Sequence, residues 1–102
     1  MIRRSRLVIP LTAEDRLEIT IDKERGTVKG FVINYVATIS GKDHSVVRYD
    51  TRHGFPHKDV VGRDGRVERK EPLPDRDWYS LVDTAIDDLK ANWSSYRRRF
   101  VR

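Results

Sequence analysis

Hydrophobic and polar residues alternate along the first half of the chain, as they do in strands that bury one face. Leu17, Ile19 and Ile21 alternate with polar residues, which predicts one half-buried strand. The next run carries apolar residues on both of its faces, which is typical of a central strand. Glycines mark the turns between the runs. The pattern predicts strands at about 16–22, 27–40 and 44–50, with turns at 23–26 and 41–43.

A hairpin and a break follow this first group of strands. Residues 57–61 and 66–69 read as two short strands, because the segment 62–65 between them contains Asp-Gly, a strong hairpin signal. The proline-rich segment 71–74 then interrupts the strand pattern. Near the start of the chain, the short apolar run Leu7–Ile9 is a candidate for one additional edge strand.

The last third of the chain has the spacing of an amphipathic helix, with apolar residues three and four positions apart. Asp75 or Asp77 can cap its start, and the arginines from Arg97 onward favour its end. We therefore expect an α+β fold in which an antiparallel sheet of four to five strands, a meander, packs against one long C-terminal helix. The predicted core stripe of the helix is Trp78, Val82, Ala85, Ile86, Leu89, Trp93 and Tyr96.

Composition places these elements in one domain, residues 1–102. The chain is 37% hydrophobic and 36% charged, but its apolar residues are concentrated in periodic runs, so an ordered core is expected. The lack of cysteine excludes disulfides and zinc–thiolate sites and fits a reducing compartment. No stretch approaches the ~20 apolar residues that span a bilayer. We expect a soluble, cytoplasmic protein with no membrane partner.

The net charge of +5 is concentrated at the two ends of the chain. Residues 1–6 form a basic N-terminal arm with three arginines, and residues 97–102 form a basic C-terminal end with four. Basic ends on a nearly neutral body suggest a phosphate-bearing partner. Solvated arms, together with arginines that complement the helix dipole, are the alternative. The candidates for phosphate binding at the C-terminal end are Arg97, Arg98 and Arg99.

One polar segment, residues 48–59, concentrates the groups that can carry chemistry. Two imidazoles flank a Gly-Phe-Pro turn, with carboxylates and cations close by in the sequence. If Val47 and Tyr49 face the helix-covered core, and Lys58 and Val60 do the same, the alternate residues of both strands face away from it. The residues expected on that shared surface are Arg48, Asp50, His57 and Asp59, with His53 at its rim.

Three hypotheses fit this segment. In the first, His53 and His57 act as general base and acid in metal-independent RNA cleavage, a reaction that needs no cofactor. Asp50 or Asp59 would then fix a histidine tautomer. In the second, the histidines and aspartates hold a divalent metal, although the cations of the segment oppose one. In the third, the segment is structural and its polar groups satisfy one another. The cations that would stabilise a phosphorane are Arg48, Arg52 and Lys58.

A family resemblance rests on the same residues. The sequence Val-Arg-Tyr-Asp at 47–50, His53-Gly54, His57-x-Asp59 and the helix end Asn92-Trp93-x-x-Tyr96 resemble the TumE-type toxins of toxin–antitoxin pairs, over about residues 46–96. The resemblance implies a sheet-then-helix layout and a toxin-like protein encoded beside an antitoxin. The positions that match its motif are Asp50, His53 and His57, and Asp59 stands where that pattern tends to a second nearby histidine.

Together these observations predict a toxin-like protein that acts on RNA, and its expected partners are an antitoxin and RNA. We hypothesise that the action on RNA is a ribonuclease activity. The alternative is a non-catalytic module that binds nucleic acid or protein, with a structural His/Asp loop. A thin core beside an edge strand also makes a homodimer an expected assembly.

Overall fold

Six strands and then one helix follow one another along the chain in the computed structural model, which describes residues 1–74 and 76–102. A short 3-10 turn, Arg52–Gly54, lies between the fourth and fifth strands. The elements are β1 (Arg3–Thr12), β2 (Asp15–Glu24), β3 (Thr27–Ile39), β4 (Lys42–Asp50), β5 (His57–Val61), β6 (Val67–Pro72) and α1 (Trp78–Val101).

The strands form a single antiparallel sheet in which each strand pairs with the one that precedes it in the chain, in the order β1 to β6. This confirms the α+β class, the meander and the C-terminal helix. The expected count of four to five strands is wrong, because the structure has six in the part of the chain that it describes. The difference arises at the N-terminal edge, where the sequence indicated no more than the short run Leu7–Ile9.

β1 is a full strand of 10 residues that includes most of the predicted basic arm. Arg4 lies opposite Asp22 of β2, and their side chains form an ion pair with Nε and Oδ1 2.8 Å apart. Leu7 and Val8 point to opposite faces of the sheet and remain 58% and 56% exposed. Only Ile9 and Leu11 of this strand are partly buried against the core, so β1 lacks the extended alternation that identifies a half-buried strand.

Two tight turns set the register of the central strand, β3. Arg25 and Gly26 join β2 to β3 with φ values of 52° and 78°, and Ser40 and Gly41 join β3 to β4 with 53° and 78°. Positive φ at both positions defines a type I′ turn, whose twist matches that of the flanking strands. β3 is thereby paired on both sides, as its two apolar faces predicted.

α1 covers one face of the sheet. Its start is capped by Asp77, whose carboxylate accepts a hydrogen bond from the backbone N–H of Ser80 at 3.0 Å. Asp75, the other predicted cap, lies outside the described residues. The predicted stripe packs against the sheet, and the buried residues Leu81 and Phe100 add to it. The sheet side of this core is formed by Leu17, Ile19, Val28, Phe31, Ile33, Tyr35, Ala37, Val46, Val47 and Tyr49.

The opposite side of the sheet, called here the open face, carries the alternate residues of the same strands. One cross-strand row on it runs from β1 to β5 through residues that lie directly opposite one another. The row consists of Arg6, Thr20, Val32, Asp50 and His57.

Within the described residues, α1 has no stretch long and apolar enough to cross a membrane.

Candidate functional site

The register of β4 against β5 brings four of the predicted site residues together on the open face. Arg48 lies opposite Asp59, and Asp50 lies opposite His57. Because side chains alternate along a strand, all four project to the same side, and their neighbours project into the core. This confirms the parity prediction. With Lys70 of β6, which the register places opposite Asp59, these residues form what we call the charge cluster.

Arg48 joins the two carboxylates of the charge cluster. Its Nε donates to Oδ2 of Asp50 at 3.1 Å, and its Nη2 donates to Oδ2 of Asp59 at 3.1 Å. Asp50 and Asp59 are 1% and 2% exposed. A buried carboxylate without a cationic partner is strongly unfavourable. Asp50 and Asp59 can therefore be buried because Arg48 pairs with both of them.

His57 is enclosed in the same cluster and is 1% exposed. Its Nδ1 lies 3.1 Å from the carbonyl oxygen of Phe55, which can only accept, so Nδ1 carries a proton and donates. Its Nε2 lies 3.0 Å from Oδ1 of Asp50 and 3.4 Å from Nζ of Lys70. Both ring nitrogens are therefore engaged inside the protein, and the ring is closed off from a molecule bound at the surface.

Lys70 is a member of the cluster that the sequence did not single out. Its Nζ lies 3.6 Å from Oδ1 of Asp59, a buried oxygen that receives no hydrogen bond from the residues described. The signal for Lys70 was the pairing of β6 with β5, which places it directly opposite Asp59. A register shift between Val60 and Val61 hides that pairing from a residue count along the hairpin.

The metal hypothesis meets a geometric arrangement that suits it and a charge balance that does not. Asp50, His57 and Asp59 each offer one ligand atom, and these atoms lie within 4.8 Å of one another. Arg48 and Lys70 already supply the positive charge that a divalent ion would bring to the two carboxylates. A bound ion would have to displace these cations from their partners. The cluster as it stands is a compensated ion-pair network.

The loop between β4 and β5 covers the cluster from the solvent side. The ring of His53 stacks on that of His57 with centroids 6.2 Å apart, and the ring of Phe55 lies 5.4 Å from it. His53 is exposed and adopts a φ of 71°, which an L-residue rarely takes. Of the two predicted catalytic imidazoles, His53 faces solvent and His57 lies beneath it.

Lys58 lies on the other side of the sheet, under α1, and apart from the loop cations. Its Nζ donates to the hydroxyl of Tyr96 at 2.8 Å. The hydroxyls of Tyr49 and Tyr96 donate in turn to Oδ2 of Asp88 at 2.6 and 2.7 Å. Burial acts to raise the pKa of Asp88, but the hydrogen bonds from Tyr49, Tyr96 and Asn92 outweigh it and hold that pKa below its usual value.

The predicted C-terminal phosphate ligands differ in what they contact. Arg97 donates to the buried carboxylate of Asp15 at 2.8 Å, and Arg99 donates to Glu68 at 2.7 Å and to the carbonyl oxygen of Val61 at 3.0 Å. Arg98 is exposed. Two of these three arginines therefore tie α1 to the sheet.

A second charged feature lies on the open face beside the loop. A concave region of about 480 Å³ crosses β1, β2 and β3, and we call it the basic concavity. Lys29 reaches it from a bulge in β3, at a register shift that a strict alternation does not reveal. The sequence predicts Arg52 as a phosphate ligand and places Arg4 and Arg6 in the basic arm, but it does not indicate Lys29. The charged residues that line the basic concavity are Arg4, Arg6, Asp22, Lys29 and Arg52.

Comparison with known proteins gives a family for almost the whole chain. The family model described as Domain of unknown function (DUF7718) matches residues 2–102. No curated protein and no solved structure matches the chain.

Proposed function

This chain belongs to the family described as Domain of unknown function (DUF7718), and we propose that it binds nucleic acid through the basic concavity. The observation that carries the proposal is the charge of that surface. Four cationic side chains line it against one carboxylate, Asp22, which already pairs with Arg4 at 2.8 Å. The remaining three cations, Arg6, Lys29 and Arg52, form no side-chain ion pair within residues 1–74 and 76–102.

Three cations that form no ion pair among the described residues, gathered on a concave surface, favour a polyanion. Each cation that meets a backbone phosphate releases a condensed counterion, which is the main source of affinity in sequence-independent binding. The width of the concavity supports contact with several phosphates, since three adjacent strands span about 10 Å at ~4.8 Å per strand. The net charge of +5 adds a long-range attraction of the same sign.

Salt-dependent binding tests this proposal. Fluorescence anisotropy with a labelled 12-nucleotide RNA compares the wild type with the triple variant Arg6→Ala, Lys29→Ala, Arg52→Ala. We expect the slope of log affinity against log salt to fall by about 2–3 in magnitude, because each lost contact removes roughly 0.7–0.9.

A control triple variant removes the same charge elsewhere, at Arg63, Arg66 and Lys90, all exposed and all outside the basic concavity. It should keep most of the wild-type slope. Equal losses in the two variants would show that net charge alone attracts the RNA, and an unchanged slope in the first would remove the concavity from binding.

A second candidate function is RNA cleavage, favoured by the exposed imidazole of His53 above the buried His57. In this proposal His53 takes the proton of the attacking ribose 2′-OH and returns a proton to the 5′ oxygen that leaves, and His57, which has no surface access, is a positioning residue. The resemblance to TumE-type toxins supports it and adds an antitoxin as partner. Cleavage of RNA in EDTA by the wild type, lost in His53→Ala while RNA binding persists, is the expected result. Equal cleavage by both proteins would exclude His53.

A further inference from the structure

We infer that the nucleic acid taken by the basic concavity is single-stranded, and that Phe55 is the side chain on which an unpaired base stacks, with His53 beside it. The inference rests on the proposed function and specifies its substrate class. It starts from an exposed aromatic ring: Phe55 is 47% exposed on the face of the sheet that carries the concavity. The ring lies outside the hydrophobic core, where it contacts the ring of His57 and remains about half exposed to solvent.

The ring lies next to the cations in the geometry of the sheet. Val32 lines the concavity, and His57, over which Phe55 lies, is two positions further along the same cross-strand row. Two strand spacings are about 10 Å. Arg52 lies between the concavity and Phe55, because it lines the concavity and precedes Phe55 by three residues in the loop. Phosphate contacts and an aromatic surface thus lie side by side on one face.

The loop that carries these side chains is fixed at its first residues to the concavity. The backbone N–H of Phe31 donates to Oγ1 of Thr51 at 3.0 Å, and the N–H of Thr51 donates to the carbonyl of Phe31 at 3.1 Å. The N–H of Arg52 donates to Oδ1 of Asp50 at 3.0 Å. These contacts hold Arg52 at the border of the concavity.

The charge cluster fixes the other end of the loop. Nδ1 of His57 donates to the carbonyl of Phe55, so the buried imidazole holds the backbone of the residue that presents the ring. His53 takes a φ of 71°, and such a positive value in a residue other than glycine persists where the surrounding contacts enforce it. The buried network therefore has a positioning role. It orders an exposed aromatic ring in advance and reduces the entropy lost on binding.

The combination favours single strands because of what a stacking ring requires. In a duplex both faces of each base are covered by neighbouring bases, whereas an unpaired base offers a free face to an aromatic side chain. A basic groove beside an aromatic ring is the arrangement by which proteins bind single strands without strict sequence preference. Either RNA or DNA can supply this chemistry, since both carry phosphates and unpaired bases.

The test compares the wild type with Phe55→Ala on a 12-nucleotide RNA, a DNA of the same sequence and the corresponding DNA duplex. We expect the wild type to bind both single strands at least tenfold more tightly than the duplex. Phe55→Ala should weaken single-strand binding by about 5- to 150-fold, the range that a lost base stack produces, and leave duplex binding within twofold. Loss on the RNA alone or the DNA alone would identify which of the two is the ligand.

Tyr79→Ala is the matched control, since Tyr79 is an exposed aromatic residue on α1, away from the open face. It should bind single strands as the wild type does. Phe55→Leu, which keeps an apolar side chain but removes the ring, should reproduce the loss seen with alanine. Wild-type affinity in both Phe55 variants, or equal affinity of the wild type for duplex and single strands, overturns the inference. It does so without touching the proposed function, which the charge variants test independently.

Discussion

The Nε atom of Arg48 donates to Oδ2 of Asp50 at 3.1 Å, and this contact is half of a bridge between two buried carboxylates. Removing the guanidinium would leave Asp50 and Asp59 with less positive charge than their burial requires. We expect Arg48→Met to lower the free energy of unfolding by about 3–5 kcal/mol, the range found when one partner of a buried pair is lost. Urea denaturation followed by tryptophan fluorescence measures it.

Arg66→Ala is the control for that experiment. Arg66 and Asp64 are both exposed, and their ion pair is long, with Nε and Oδ2 3.9 Å apart. Its removal should change the free energy of unfolding by less than about 0.5 kcal/mol. A loss below about 1 kcal/mol in Arg48→Met would mean that the two carboxylates do not depend on the bridge.

Acid should destabilise the fold through Asp88. Its folded-state pKa is lowered, so its contribution to stability is present above the unfolded value of about 3.9 and is lost as the pH falls through the folded pKa. We expect Asp88→Asn to be less stable than the wild type at pH 7 and to lose less stability between pH 5 and 2. Thermal unfolding across that pH range measures both differences.

Asp87→Asn provides the comparison for this pH series, because Asp87 is the exposed neighbour of Asp88 on the same helix. It should keep the acid sensitivity of the wild type. If Asp88→Asn and the wild type lose equal stability in acid, Asp88 is not one of the groups responsible.

Asp15 should contribute to the acid sensitivity in the same direction as Asp88. Burial acts to raise the pKa of Asp15, but hydrogen bonds from Thr12, Tyr35 and Arg97 outweigh it and lower that pKa.

The packing of α1 on the sheet should depend on Leu89, which is fully buried in the core. We expect Leu89→Ala to reduce the free energy of unfolding by about 2–5 kcal/mol, because the change removes buried methyl groups and leaves a cavity. Val101→Ala, at the exposed end of the same helix, should have an effect below about 1 kcal/mol. Similar values for the two variants would contradict the assignment of Leu89 to the core.

The homodimer stays a prediction, and the structure indicates where to test it. β1 is an edge strand on which Leu7 and Val8 are exposed, and an exposed edge can pair with a second copy of itself. Sedimentation equilibrium should show a concentration-dependent dimer that Leu7→Lys dissociates, while Val67→Lys on the opposite edge leaves it intact. A monomer at all concentrations would exclude this assembly.

The sequence predicted the strands that bury at least one face, and it did not indicate the full length of the mostly exposed edge strand β1. Leu17 and Ile19 alternate with polar residues because α1 covers one face of β2, and that alternation identified the strand. In β1 only Ile9 and Leu11 are partly buried against the core and the other residues are exposed, so the strand carried little signal. β6 continues to Pro72 because an edge strand tolerates a residue that cannot donate.

The sequence predicted which face of the sheet carries the candidate site, but it did not predict that the site is buried. Alternation along β4 and β5 was sufficient to place Arg48 and Asp59 on one surface. It could not show that the cluster is buried, because burial depends on how His53 and Phe55 fold back over His57. The basic concavity depends on the register across three strands and a bulge, which no local pattern encodes.

The meander has a consequence for the order in which the protein can fold. Every strand pairs with the one before it, so the sheet can grow as successive hairpins, each closing a short loop. α1 follows all six strands in the chain, and it supplies the cover for the apolar side of β2, β3 and β4. Until α1 docks, the apolar side of the sheet is exposed to solvent. A nascent chain of which only the strands have emerged from the ribosome is therefore the species most prone to aggregation.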